Sequence, residues 1–258
     1  MIGNLVKHII QQIPLAMGNR FTRILLLLLI SSHSIAQTSF NELVSSANLN
    51  LKEKNYKAAA DQFKKALEIQ PDDTVALQGV IKCYTLSEDY KNAQRYADIA
   101  LGKFPTYPEF HLLQGIIYNL KGNHEEAISA FSHALELKPS NRTSVQILMN
   151  RASAEIRLDN FTDALADYNA AMELDPRNTS IYTYRGLVNF RLGFYIDAVN
   201  DYTNAIDLEP NSALTYYNRG MTYLKLSEKQ KACADFHMAC KLGDMNACKM
   251  ILTECGGR

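Results

Sequence analysis

The fold is decided by a stretch late in the chain, Ala198-Val-Asn-Asp-Tyr-Thr-Asn-Ala-Ile-Asp-Leu-Glu-Pro210. Two alanines stand seven residues apart in it, with an aromatic ring between them and a proline five residues after the second alanine. The same alanine pair begins at five further positions: Ala59, Ala93, Ala127, Ala164 and Ala232. The spacing is 34 residues, except for one interval of 37. This repetition indicates a stack of small helical units and an all-α protein.

Small residues and rings follow the same period. If the proline is position 32 of each unit, positions 20 and 27 are alanine throughout, and position 24 is a large ring in five units. Position 8 is small in the same five units: Ala47, Gly115, Ala152, Gly186 and Gly220. Two helices approach to about 8–10 Å only where the crossing residues leave room, so small residues mark helix crossings.

This pattern resembles the tetratricopeptide repeat (TPR) family, in which each repeat is two antiparallel helices, A and B. The resemblance implies a right-handed α-α superhelix, or solenoid, of antiparallel helix pairs. Six repeats cover residues 40–246, namely 40–73, 74–107, 108–141, 145–178, 179–212 and 213–246. Residues 142–144 form an insertion, and residues 245–258 are expected to be a C-terminal capping helix and tail. The last repeat of a solenoid leaves an apolar face open, and this helix is expected to cover it with Met245, Ala247, Met250, Ile251 and Leu252. A dimer surface is the alternative use of the same residues.

The first 36 residues lie before the repeats and are expected to be a signal peptide. Arg20 and Arg23 precede a short apolar run, and small residues end it before Gln37. A start at Met17 would give a compact basic leader. Residues 1–16 are therefore interpreted as an over-extended start that precedes the true first residue, Met17. An exported protein, periplasmic or secreted, is predicted; an uncleaved segment that anchors the chain in a membrane is the alternative.

Charge and motifs exclude several functions. The chain has 27 basic and 27 acidic residues, which does not favour nucleic acid as a partner. There is no glycine-rich phosphate loop and no nucleophile elbow, and the six histidines are scattered. We therefore expect no enzyme activity, no catalytic residues, no cofactor, no metal and no small-molecule substrate. Association with a membrane surface as a peripheral protein is left open.

An arginine and an aspartate occur together in the last three repeats only. Position 7 is arginine and position 23 is aspartate in these repeats: Arg151 with Asp167, Arg185 with Asp201, and Arg219 with Asp235. We predict a structural Arg–Asp ladder between helices A and B, within or between repeats. Arginines that face a ligand are the alternative.

Four of the five cysteines lie near the C-terminus. Cys233, Cys240, Cys248 and Cys255 are separated by 7, 8 and 7 residues, which suits two antiparallel helices joined at a turn. We predict disulfides Cys240–Cys248 and Cys233–Cys255, although four cysteines allow three pairings. Such bonds form in oxidising compartments, in agreement with export. A structural zinc site is the alternative, and Cys83 is expected to be a small buried residue.

In the family, helix A lines a concave groove at positions 2, 5, 9, 12 and 13. Carried over to this chain, the resemblance implies a mainly apolar groove with a basic residue at position 13 of the last three repeats. Its candidate residues are Ile116, Leu120, Met149, Ile156, Arg157, Leu187, Phe190, Arg191, Tyr217, Met221 and Lys225. Packing between helices is the alternative role for each of them. A peptide with apolar anchors and an acidic group or free carboxylate would suit this groove.

The sequence therefore predicts an exported TPR scaffold for protein–protein interaction. A structural component of a cell-envelope or secretion assembly is the alternative, since the same scaffold serves both.

Overall fold

A computed structural model of the protein describes residues 37–256 and confirms the all-α fold class in them. The predicted signal peptide and its start at Met17 lie outside the described residues. Thirteen helices fill the described part of the chain and are numbered α1 to α13. They are α1 (37–52), α2 (Tyr56–Ile69), α3 (Thr74–Leu86), α4 (Tyr90–Lys103), α5 (Pro108–Leu120), α6 (His124–Glu136), α7 (Asn141–Arg157), α8 (Phe161–Leu174), α9 (Thr179–Leu192), α10 (Tyr195–Leu208), α11 (Ala213–Lys225), α12 (Lys229–Lys241) and α13 (Met245–Glu254).

The chain divides into two compact parts, Met1–Tyr96 and Ala97–Arg258. The N-terminal part, where it is described, has one apolar core shared by α1, α2 and α3. Phe63 of α2 is at its centre, with 1% of its surface exposed. Its ring lies against the backbone of Gly79 in α3, where a Cβ atom would come within 2.5 Å of the ring. The helices can therefore approach closely only because residue 79 has no side chain.

The C-terminal part is a succession of helix pairs in which each helix from α5 to α13 contacts the next. One apolar core of this part is built from α7, α8 and α9, where alanines from the repeated pairs surround the ring of Tyr168. Ala164, Ala171 and Ala152 are fully buried there. The alanine and ring positions that repeat in the sequence are therefore the contact points of neighbouring helices.

Glycine at position 8 meets the ring at position 24 of its own repeat. A Cβ atom on Gly115 would lie 2.5 Å from the ring of Phe131, and one on Gly186 would lie 2.9 Å from Tyr202. Real Cβ atoms do not approach other atoms this closely, so these helix pairs are packed as tightly as the backbone allows.

The insertion at residues 142–144 is helical. It belongs to α7, which begins at Asn141 and has 17 residues, whereas helix A of the preceding repeat, α5, has 13. Ser140 caps the added turn by accepting a hydrogen bond from the backbone N–H of Thr143. The Thr143 hydroxyl donates to Glu109 of α5 at 3.0 Å. The three extra residues thus lengthen one helix by about a turn.

The residue at position 15, in the turn between helices A and B, has a left-handed backbone in all six predicted repeats. It is glycine only in two of them, Gly122 and Gly193, with φ of 85° and 82°. The other four have φ between 59° and 63°: Lys54, Glu88, Asp159 and Ser227. Glycine adopts positive φ readily, whereas the four other residues give no sign of it in the sequence.

Candidate functional site

The groove candidates all lie on helix A of the last four repeats, in the C-terminal part. They occupy α5, α7, α9 and α11. Three basic residues among them are exposed: Arg157, Arg191 and Lys225. Each stands in the last turn of its helix, where a positive charge is favourable beside the helix C-terminus. Leu120 stands at the same position of α5 and is 52% exposed.

A small hollow brings three of the candidates together. Ile156 of α7 and Leu187 and Arg191 of α9 line it, and its volume is about 140 Å³. Phe161 and Asp159, at the turn before α8, complete its wall. The hollow combines apolar side chains with a charged group of each sign, and its size is that of one side chain rather than of a cofactor.

Apart from the exposed Leu120, the other apolar candidates are partly buried, and most of them pack against the cores. Ile116 lies against the core of α6 and α7, and Met149 against the core of α7 to α9. Tyr217 and Met221 lie against the core of α12. The ring of Phe190 is 5.6 Å from that of Tyr195. These contacts hold helices together, whereas the hollow and the three basic residues are exposed to solvent.

The three arginines of position 7 each form a two-pronged ion pair with the aspartate of the same repeat. Arg151 donates from Nε and Nη2 to Asp167 at 2.9 and 2.6 Å. Arg219 does the same to Asp235 at 2.8 and 2.9 Å. The pair of Arg185 and Asp201 is the most buried of the three, with side chains 16% and 3% exposed. All three pairs join helix A to helix B within one repeat.

Each arginine also reaches the preceding repeat. Nη1 of Arg151 donates to the Ser132 hydroxyl at 2.9 Å, and Nη1 of Arg219 donates to the Thr203 hydroxyl at 3.0 Å. Nη1 of Arg185 donates to the Asn169 amide oxygen at 2.9 Å. Sequence reasoning missed these partners. The signal available was a polar residue at position 25 of the preceding repeat in all three cases.

The pKa is shifted in three members of these ion pairs, Arg151, Arg219 and Asp201. The hydrogen bonds that Arg151 and Arg219 donate to Asp167 and Asp235 raise the pKa of both arginines, so they stay charged. Burial raises the pKa of Asp201, and this effect is opposed by the hydrogen bonds that Asp201 accepts from Arg185 and Asn189. The positive charges are thus balanced inside the protein, and each of the three nitrogens of these guanidinium groups already donates a hydrogen bond.

Two disulfides join the last two helices. Cys233 is bonded to Cys255 and Cys240 to Cys248, with Cα–Cα distances of 5.6 and 4.9 Å. The pairs are nested, so both ends of α13 are tied to α12. Because all four thiols are used in these bonds, none is available as a zinc ligand.

The capping helix covers less of the last repeat than the sequence predicts. Ala247 is fully buried, and Met250 and Ile251 pack against the core of α12. The expectation that Met245 and Leu252 also cover the core is wrong, because their side chains are 69% and 75% exposed. A ten-residue helix with one buried side chain is marginal by itself, and the two disulfides supply the missing constraint.

Other kinds of site are not found among residues 37–256. They contain no group of three or more His, Cys, Asp or Glu side chains placed to hold a metal ion. None of the helices in this range has the length and apolar character needed to cross a membrane. Cys83 is the free cysteine of the described chain and is fully buried in the N-terminal core.

Stacked helix pairs with small residues at each crossing define a helical-repeat protein. Four tetratricopeptide repeat family models match residues 43–73, 87–142, 152–193 and 201–234. The chain belongs to the tetratricopeptide repeat family.

Comparison with known proteins extends this result at lower similarity. Tetratricopeptide repeat protein 1 of Schizosaccharomyces pombe is 30% identical over 141 residues, which are 52% of this chain and 13% of that protein. The chain spans between 13% and 20% of the length of the curated relatives it matches. The shared part is therefore a small portion of each of these relatives.

Solved structures show the same fold over most of the chain. PilW, a widely conserved type IV pilus biogenesis factor, has a TM-score of 0.73 at 16% identity, covering 83% of this chain and 98% of that one. YrrB, a TPR protein with an unusual peptide-binding site, has a TM-score of 0.61 at 20% identity, covering 75% and 99%. At these identities the likeness establishes the fold alone.

Proposed function

We propose that the protein is a non-catalytic scaffold that binds another protein or peptide on the helix A face of its last three repeats. The observation that carries this proposal is the hollow of Ile156, Leu187 and Arg191, and the exposed Arg157 follows Ile156 in the chain. TPR proteins bind proteins or peptides, and YrrB, with the same fold, has a peptide-binding site.

The chemistry of this face suits a partner with an apolar side chain followed by a negative charge. The hollow of about 140 Å³ takes one apolar side chain against Leu187 and Phe161. Arg157, Arg191 and Lys225 are exposed and have no ion-pair partner among the described residues. A carboxylate on the partner would give them one.

We further propose that the protein works outside the cytoplasm. Two disulfides at one end of the chain suit an oxidising compartment, and the leader predicted in residues 1–36 would direct the chain there. Anchoring by an uncleaved leader is the alternative, and mass spectrometry of the N-terminus of the native protein distinguishes the two.

A structural role in a cell-envelope or secretion assembly is the second candidate. Its support is the shared fold with PilW, which extends over most of both chains. The two roles differ in the size of the partner: a short peptide suffices for the first, whereas the second requires a folded protein.

Selection of a displayed peptide library for binding to the immobilised protein tests the first role. Peptides with an apolar residue near an acidic residue or a free C-terminus should be enriched. The triple variant Arg157→Glu/Arg191→Glu/Lys225→Glu should lose them, because charge reversal turns attraction into repulsion.

The control reverses three exposed basic residues elsewhere in the same part, Arg177→Glu/Lys241→Glu/Lys249→Glu. It changes the net charge equally and should keep the enriched peptides. Equal loss in both variants would show that binding follows overall charge, and retention in both would place the binding surface elsewhere.

A further inference from the structure

A second and larger hollow lies among α8, α9 and α10, in the C-terminal part. Its volume is about 440 Å³, within the range of small-molecule sites, and it shares no residue with the groove candidates. It opens beside the second rung of the ladder, the pair of Arg185 and Asp201, and polar side chains provide most of its wall.

The floor of this hollow is an ion pair with its charges already balanced. Asp201 accepts two-pronged hydrogen bonds from Arg185 and another from the amide of Asn189 at 2.9 Å. Asn189 is 5% exposed, so the floor is rigid as well as polar. The floor therefore neither attracts nor repels a charged ligand strongly.

The rim is a cluster of side-chain amides. Asn200 and Asn204 lie one turn apart on α10, and Asn169 faces them from α8. Within residues 37–256, the side chains of Asn200 and Asn204 make no hydrogen bond, and Asn169 uses only its oxygen, toward Arg185. The rim thus offers unused donors and acceptors side by side.

An aromatic ring stands beside these amides. Phe194, at the start of α10, lines the hollow and is 51% exposed. An exposed ring next to several amides offers a flat apolar surface and polar groups to the same ligand. One carboxylate of the rim, Asp197, adds a further acceptor.

This arrangement is particular to the fifth repeat. Asn200 and Asn204 stand one residue before and three residues after the ladder aspartate. The same places beside Asp167 hold Ala166 and Ala170, and beside Asp235 they hold Ala234 and Met238. The ladder therefore does not require Asn200 and Asn204, because the neighbouring ion pairs form without amides at these places.

We propose that this hollow binds a neutral sugar residue of an oligosaccharide. A pyranose ring has a face of C–H groups that packs on an aromatic ring, as Phe194 offers. Its hydroxyls both donate and accept, which matches the paired donor and acceptor of each free amide. A charged ligand fits less well, because the charges of Arg185 and Asp201 cancel and Asp197 alone adds net charge.

The test is a titration of the ¹⁵N-labelled full chain with N-acetylchitotriose, a neutral oligosaccharide with hydroxyl and acetamide groups, monitored by NMR. The side-chain amide signals of Asn169, Asn200 and Asn204 should shift in a saturable manner. Phe194→Ala and Asn204→Ala should each raise Kd about fivefold or more, as loss of a ring contact or a hydrogen bond does.

The controls alter similar residues outside the hollow. Ile196→Ala removes an apolar side chain of α10 that is 68% exposed, and Asn211→Ala removes an exposed amide. Both should leave Kd unchanged. All four positions are at least half exposed or polar at the surface, so the melting temperature should stay the same and folding should not obscure the comparison.

Two further probes separate the sugar from other ligands. Triarginine tests attraction to Asp197, and N-acetyl-trialanine amide tests recognition of a neutral peptide backbone by the amides. The proposal fails if either of these shifts the three asparagine signals and the sugar does not. It also fails if no probe shifts them up to its solubility, or if the two hollow variants bind the sugar as the parent does.

Discussion

Arg185 connects Asp201 to Asn169 and thereby joins three helices. Its Nη2 donates to Asp201 on α10 at 2.5 Å, and its Nη1 donates to Asn169 on α8 at 2.9 Å. The arginines of the neighbouring repeats make the same two kinds of contact. The ladder therefore couples each repeat to the one before it, in addition to joining the two helices of one repeat.

Asp201→Ala is expected to destabilise the protein by about 3 kcal/mol, because it leaves the largely buried Arg185 without its counter-charge and Asn189 without its acceptor. Urea unfolding monitored by circular dichroism measures the change. Asp207→Ala, on the exposed side of the same helix, should stay within about 0.5 kcal/mol of the parent. Equal stability of the two variants would contradict a structural role for the pair.

Gly186→Ala and Gly102→Ala are expected to have opposite effects, although both place a methyl group on a helix. The methyl group at 186 would meet the ring of Tyr202 at 2.9 Å, and such overpacking costs about 1–3 kcal/mol. At 102 nothing lies within 4 Å, so the better helix propensity of alanine stabilises by up to about 1 kcal/mol. Differential scanning calorimetry on both variants measures the sign, and a stabilising change at 186 would show that the helices can separate.

Ser227→Gly is expected to raise the stability, because the backbone of Ser227 is left-handed with φ of 60°. That conformation costs a residue with a Cβ atom about 1–2 kcal/mol, part of which the entropy of glycine in the unfolded chain offsets. Gly193→Ala, at the same place in the fifth repeat, should lower it. Melting temperatures of the two variants measure both effects, and a shift in the same direction would mean that the turn can adopt another conformation.

Alkylation with iodoacetamide under denaturing, non-reducing conditions should label one cysteine per chain, Cys83, and labelling after reduction should reach all five. The reason is that the two disulfides protect the other four. Peptide mapping should recover Cys233 linked to Cys255 and Cys240 linked to Cys248. Labelling of all five cysteines before reduction would show that the cap is not covalently attached to α12.

Cys83 should react slowly with iodoacetamide in the folded protein at mildly alkaline pH. Burial raises the pKa of its thiol to about 11, so less of it is the reactive thiolate at any lower pH than in the unfolded chain. Labelling rates with and without denaturant measure the difference, and Cys83→Ala provides the unlabelled reference. Rapid labelling of the folded protein would show that the N-terminal core opens readily.

Much of the fold was predictable because the same packing requirement, a small residue at each helix crossing, recurs at the same interval along the chain. Small residues such as Ala164, Ala198 and Ala232 are required where two helices cross, and in five of the six repeats a ring fills the space beside them. Helix ends were harder to predict. Residues 142–144 extend α7 because Ser140 caps the helix one turn earlier. The repeat spacing alone does not show where this cap lies.

The candidate site was predictable only in part. The sequence placed Ile156, Leu187 and Arg191 on one kind of helix face, and they do share a hollow. It could not tell which of the other candidates pack inward, because helix A contacts helix B and the neighbouring helix A along the same side. Phe190 and Tyr217 lie against rings of helix B, a choice that depends on the angles between helices.

The sequence by itself determined the class of fold, because the recurring small residues and rings depend on spacing along the chain, and it placed an arginine and an aspartate at fixed positions of the last three repeats. Tertiary structure alone decided that each arginine pairs with the aspartate of its own repeat, and which polar group accepts a hydrogen bond from its third nitrogen. It also decided which non-glycine turn residues adopt positive φ and where the chain leaves a hollow. Each of these depends on distances between segments that are far apart in the chain. The local sequence pattern does not give such distances, because they are set by how the helices pack.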